Sequence, residues 1–140
     1  MRQNLEIVRF DRPEHEPELS VQAARLVLEI GNYKKTRDVE TVLWHMEGRT
    51  TLVAVDDNRQ VVGTAALKRV NSTLGVLDDV VSDPSMRGDG IGRKVVKTAE
   101  EVALSEGILE LNLASSLTAA SFYKHLGYTQ LGERFFRKYL

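Results

Sequence analysis

From Leu5 to Phe10 the chain alternates Leu-Glu-Ile-Val-Arg-Phe, the two-residue period of a strand with one buried face. Residues 11–17 hold Pro13 and Pro17 and read as a loop. The period then changes: Leu19, Ala23, Leu26, Val27 and Ile30 fall at helical spacing between Glu18 and Ile30, and Gly31 marks a stop. A polar, basic stretch at residues 32–37 precedes a second helix from Asp38 to Met46, with Val39, Val42, Leu43 and Met46 on its apolar face. Strands follow at Thr50–Val55 and Gln60–Lys68, joined by the turn Asp56-Asp57-Asn58-Arg59. A further turn at Asn71-Ser72 leads into a strand ending near Ser82. A long helix begins after Gly90 and stops near Glu106-Gly107, residues 108–114 alternate as a strand, and Thr118 to Leu126 is a short helix closed by Gly127. Two last strand-like pieces surround Gly132.

The predicted order is β-α-α-β-β-β-α-β-α-β, with room for a seventh strand. Short turns make the three middle strands antiparallel, and the strand–helix–strand unit around residues 76–114 predicts a right-handed parallel crossover. The expected fold is α/β (α+β): a mixed, mostly antiparallel sheet of six or seven strands flanked by about four helices. No repeat, linker or composition break divides the chain, so residues 1–140 read as one domain.

Residues 87–92, Arg-Gly-Asp-Gly-Ile-Gly, lie between the strand at residues 75–82 and the helix that follows. The first N–H groups of a helix lack intrahelical partners and carry the positive end of its dipole, and glycines allow close backbone approach. Together they make an anion cradle suited to a diphosphate. A P-loop needs Lys-Ser/Thr after the last glycine, whereas Arg93-Lys94-Val95 follows here. The dinucleotide pattern G-x-G-x-x-G does not match glycines at 88, 90 and 92. Arg87-Gly88-Asp89 also spells a cell-adhesion tripeptide, a three-residue match without a secretion signal beside it.

Composition narrows the field further. A net charge of −1 supplies no basic field for nucleic acid. No apolar run reaches the roughly 20 residues needed to span a bilayer. The N-terminus has no apolar signal core, so a cytoplasmic location is expected. The absence of cysteine excludes disulfides, zinc thiolates and cysteine nucleophiles. His15, His45 and His125 lack metal-ligand spacing, and no metal is expected. Trp44 reads as a core or interface residue.

Two segments then act together. Residues 80–92, Val-Val-Ser-Asp-Pro-Ser-Met-Arg-Gly-Asp-Gly-Ile-Gly, resemble the acyl-CoA loop of the GCN5-related N-acetyltransferase (GNAT) superfamily, with Arg87, Gly90 and Gly92 meeting its Arg/Gln-x-x-Gly-x-Gly/Ala pattern. About 30 residues later, residues 119–128, Ala-Ala-Ser-Phe-Tyr-Lys-His-Leu-Gly-Tyr, resemble that family's Ala-x-x-Phe/Leu-Tyr-x-x-x-Gly-Phe/Tyr motif. The resemblance is clear over residues 73–130, while the first half fits by element order alone.

The resemblance implies an acetyl-CoA-dependent transfer to an amine by direct attack in a ternary complex. Val80, Val81 and Ser82 would lie on a strand splayed from its neighbour, where backbone holds the pantetheine arm and the acetyl carbonyl. The N–H groups of Gly88, Asp89, Gly90, Ile91, Gly92 and Arg93 would take the pyrophosphate, with Arg93 and Lys94 adding charge. Ser116 stands where the family often has an asparagine. Tyr123 would protonate the leaving thiolate.

Asp78, Asp79 or a water chain is the candidate base. Alternation along a strand lets only one of the two aspartates face the cleft. Glucosamine-phosphate acetyltransferases carry a similar acidic pair, and also an aspartate where this chain has Ala114. Some protein-terminus acetyltransferases use a glutamate where this chain has Leu111. The basic stretch at residues 32–37 reads as a solvated loop, and would favour an acidic or phosphorylated acceptor if it borders the site. A small-molecule amine is the expected partner, a protein amine or a non-catalytic acyl-CoA module the alternatives. The tail at residues 133–140 leaves a homodimer open.

Overall fold

The structure, a computed structural model, describes residues 4–31, 37–86 and 88–140. Seven strands form one sheet in the order β1-β2-β3-β4-β5-β7-β6. They are β1 (Glu6–Phe10), β2 (Thr50–Val55), β3 (Val61–Arg69), β4 (Leu74–Ser82), β5 (Glu110–Ala114), β6 (Thr129–Gln130) and β7 (Phe135–Tyr139). The helices are α1 (Pro17–Ile30), α2 (Val39–Met46), α3 (Ile91–Ser105) and α4 (Ala120–His125). Among the described residues, only β4 and β5 pair in parallel, across the α3 crossover. All other neighbours are antiparallel, which short turns require of β2–β3, β3–β4 and β6–β7.

The sheet is covered on both faces. Leu52 joins a core with α3 and α4 that includes Val96, Leu111, Leu126 and Phe136. Val53 and Val55 point the other way, against Leu19, Ala23 and Val42 of α1 and α2. Burial on both faces explains why β2 reads as a nearly continuous apolar run.

Boundaries move where backbone hydrogen bonds decide them. Asp38 caps α2 from outside by accepting from the Thr41 N–H at 2.8 Å. Residues 108 and 109 lie outside β5, because the Ile108 N–H closes α3 by bonding the Ala103 carbonyl at 2.9 Å. Gly107 beside it has φ +82, and its own N–H bonds the Leu104 carbonyl. That is a Schellman stop. The same pattern ends α4: Gly127 has φ +93, and the Tyr128 N–H bonds the Tyr123 carbonyl at 3.0 Å. The expected first turn of α4 is instead a 3-10 turn at Leu117–Ala119. Trp44 is 72% exposed, which removes the core alternative of its core-or-interface reading. It occupies the outer side of α2, where Val42 and Met46 are the buried residues. β7 lies inside the sheet, so the tail pairs with β5 of its own chain from Ala114↔Phe135 to Glu110↔Tyr139.

A buried polar cluster ties α3 to the chain after α4. Glu100, 7% exposed, accepts from Tyr128 Oη at 2.9 Å and from Lys138 Nζ at 3.1 Å. Lys138 also donates to the Leu126 carbonyl at 2.7 Å. Burial, and then the Glu100 charge, raise the Tyr128 hydroxyl far above its usual range.

This cluster makes a prediction at alkaline pH. Unfolding frees Tyr128 to ionise near pH ~10, so above that pH the unfolded state binds fewer protons and stability falls as pH rises. Urea unfolding from about pH 9 to about pH 12 is expected to show up to ~1.4 kcal/mol per pH unit from this group, absent in Tyr128→Phe. Equal alkaline slopes for both proteins would show that Tyr128 does not carry it.

Candidate active site

β4 outruns β5. The parallel ladder ends at Leu77↔Leu113, while β4 stays paired to β3 as far as Ser82↔Gly63. Residues 78–82 therefore present one edge without a ladder partner, and a cleft of about 1050 Å³ opens along it. Val80, Val81 and Ser82 line this edge, with Ala114, Ser115 and Ser116 on the side beyond β5. The strand splay expected from the sequence is present. Leu111 is fully buried in the core, and Ala114 borders the cleft.

The glycine-rich turn closes one end. Gly88 and Gly90 have φ of +92 and +73, a left-handed backbone that favours glycine. The first α-helical bond of α3 runs from the Lys94 N–H to the Gly90 carbonyl at 3.0 Å. Ile91, Gly92 and Arg93 thus carry the N–H groups that a helix start leaves over, and all three line the cleft with Gly88 and Gly90. A side chain at Gly92 would meet the Phe122 ring at 3.2 Å. Two expectations change here. The Asp89 N–H is committed to the Met86 carbonyl at 3.2 Å, and Asp89 is not part of the cleft wall. Lys94 turns away and donates to the Leu5 carbonyl at 2.8 Å. Arg87 lies outside the described residues.

The opposite wall carries Phe122 and Tyr123. Tyr123 is 5% exposed and more deeply set than Phe122. Its ring packs edge-on against Phe122 at 5.0 Å and Tyr128 at 5.8 Å, and tilted against Phe136 at 5.8 Å. Ser116 is exposed at the cleft, its hydroxyl 3.2 Å from that of Thr118.

At the far end lie Asp78 and Asp79. Alternation would put them on opposite faces, yet both reach one guanidinium: Arg49 Nη1 is 3.1 Å from Asp78 Oδ2 and 3.7 Å from Asp79 Oδ2. A bulge is the reason. Two residues of β4, Asp79 and Val80, stand opposite the single Ala65 between the pairs Ala66↔Asp78 and Thr64↔Val81. Asp79 takes a left-handed φ of +50, and the Thr64 hydroxyl donates to its carbonyl at 2.7 Å. Arg37 completes the group, donating to Asp79 Oδ1 at 3.2 Å.

Comparison with known proteins now bears on this arrangement. The family model described as "Acetyltransferase (GNAT) domain" matches residues 19–140. The chain belongs to the GNAT acetyltransferase family. An uncharacterized acetyltransferase of the arcA 3' region of Streptococcus pyogenes is 34% identical over 89 residues, covering 64% of this chain and 61% of its own length. The chain thus spans under two thirds of that curated relative. A glucosamine 6-phosphate N-acetyltransferase of Trypanosoma brucei brucei is 35% identical over 75 residues, covering 49% of this chain and 51% of its own. The crystal structure of an aminoglycoside 6'-N-acetyltransferase complexed with coenzyme A superposes with a TM-score of 0.81 at 21% identity, covering 96% of both chains.

Within this GNAT frame, sequence reading missed Arg49, His45 and Thr64. Arg49 follows Gly48 ahead of β2 in no motif, and its partners are 29 and 30 positions further along the chain. His45 borders the cleft from α2, a position legible only once α2 is docked. Thr64 sits in an apolar strand, where a lone threonine signals nothing. Among the described residues no helix is long and apolar enough to cross a membrane, and no group of three or more His, Asp or Glu is arranged to hold a metal.

The bulge depends on Thr64. Thr64→Val is expected to leave the Asp79 carbonyl without its donor and to lower stability in urea by ~1–3 kcal/mol, with Thr64→Ser close to wild type. Equal midpoints for all three proteins would show that the bulge holds without this bond.

Proposed function

We propose that the protein is an acetyl-CoA-dependent N-acetyltransferase acting on a small-molecule amine. One observation carries the reading: the unladdered edge of β4 faces a cleft that ends in open helix N–H groups and glycines in left-handed backbone. A pantetheine arm has amides to pair with such an edge, and a pyrophosphate suits such a helix start. The residues present fit the donor. Arg93 supplies an exposed cation at the same end.

The chain's own groups then divide the work. The backbone of Val81 and Ser82 holds the acetyl carbonyl. Asp78, with its side chain 38% exposed, is the more open carboxylate, and it takes one proton from the incoming ammonium. The freed nitrogen lone pair attacks the thioester carbon. The carbon–sulfur bond breaks, and the Tyr123 hydroxyl gives the leaving sulfur its proton. The second amine proton returns the tyrosine to its neutral form. Asp79, held by both Arg37 and Arg49, anchors the acidic pair. The names of the trypanosomal relative and the coenzyme A complex support amine transfer from this fold. A second reading, an acyl-CoA module without turnover, is favoured by Ser116 in place of the usual asparagine.

Calorimetric titration is expected to show saturable, micromolar binding of acetyl-CoA and none of ATP or NADH. Thiol release with a panel of amines then measures turnover. Tyr123→Phe is expected to lower turnover about 100-fold while acetyl-CoA affinity stays unchanged. Binding without transfer to any amine would favour the module. No binding of acetyl-CoA or coenzyme A would sink both readings.

A further inference from the structure

The acceptor end of the cleft has a definite charge pattern. Among the described residues, two carboxylates, Asp78 and Asp79, meet two guanidinium groups, Arg37 and Arg49, and these four are formally neutral together. Asp79, Arg37 and Arg49 are well covered, with side chains 13%, 17% and 17% exposed, while Asp78 is open at 38%. A polycation would gain little here, because its ammonium groups would meet carboxylates already paired and two resident positive charges.

Arg49 is the asymmetric member. Its shortest approach to each aspartate is through Nη1. Among the described residues, Nε and Nη2 make no hydrogen bond, and neither is a buried atom lacking a partner. Both belong to a side chain that lines the cleft. That edge of a guanidinium offers two parallel N–H donors, the fork that matches a carboxylate or phosphate. Beside it, Asp78 offers an acceptor for an ammonium. An open carboxylate beside a guanidinium edge that makes no hydrogen bond among the described residues is complementary to a molecule bearing both charges.

We propose that the acceptor carries an anionic group, carboxylate or phosphate, close to its amine, and that Arg49 selects for it. This rests on the N-acetyltransferase reading. Arg49 pairs the anion through Nε and Nη2, which turns the ammonium towards Asp78 and the amine towards the thioester. Arg49 is a specificity-determining residue in this scheme, and the proton steps stay with Asp78 and Tyr123.

Matched probes test it. Glucosamine 6-phosphate is set against glucosamine, L-phenylalanine against L-phenylalaninamide, and spermidine and kanamycin stand as polycations. The anionic member of at least one pair is expected to exceed its uncharged-group partner about tenfold or more in kcat/KM, and the pair that responds tells phosphate from carboxylate. Arg49→Gln is expected to raise KM for that member about tenfold or more with a smaller change in kcat, and Arg49→Lys to recover part of it. Acetyl-CoA titration of each variant checks that the fold and donor site persist. Preference for the neutral members or the polycations would overturn the proposal. So would equal KM values in folded Arg49→Gln and wild type, or no transfer to any anionic probe by wild-type protein that binds acetyl-CoA. Failure of wild type to bind acetyl-CoA is the separate result that removes the enzyme reading.

Discussion

The site exists because two parallel strands stop pairing while one of them continues. β4 and β5 share four residue pairs, from Leu74↔Glu110 to Leu77↔Leu113, and then part. Unpaired backbone in a protein interior is costly, so such an edge persists where solvent or a ligand meets its N–H and C=O groups. The rest of β4 stays anchored to β3 through Thr64↔Val81 and Gly63↔Ser82. The divergence is thus confined to one side of one strand.

Packing keeps the gap from closing. Ile91, the first residue of α3, lies so near Gly63 that a side-chain carbon there would meet its methyl at 2.4 Å. This contact sets the glycine-rich turn beside the end of β4. On the other wall, Tyr123 is wedged among Phe122, Tyr128 and Phe136. The Schellman stop of α4 bonds the Tyr128 N–H to Tyr123, and the Tyr128 hydroxyl reaches Glu100 on α3. The two walls are therefore coupled through α3, and their separation is fixed by buried contacts on both.

The two ends of the cleft differ in electrostatics. At the α3 start, open N–H groups and Arg93 make a positive end that suits phosphate. At the Asp79 bulge, opposite charges are paired and partly covered. The bulge produces this second pattern by cancelling the strand alternation, so that neighbouring carboxylates meet one arginine. A partly covered floor with paired charges orders its own side chains, and Asp78 is its most open member.

Much of the fold was legible. The two periods marked nearly every element, and the short turns and the crossover gave the strand directions. The glycine run and the Phe122-Tyr123 motif marked two walls of the cleft, because both depend on local backbone and on residues close in sequence. The acceptor side was not legible in the same way. Strand alternation argued that Asp78 and Asp79 face apart, and nothing local to them announces that Ala65 stands opposite two residues. Neither does a motif link Arg49 to an acidic pair on another strand. By itself the sequence determined the elements, the anion cradle and the family resemblance, since each rests on spacing within one segment. Tertiary structure alone decided where β4 and β5 part, how Asp79 turns and which arginines meet it, because these depend on register and docking between segments far apart in the chain.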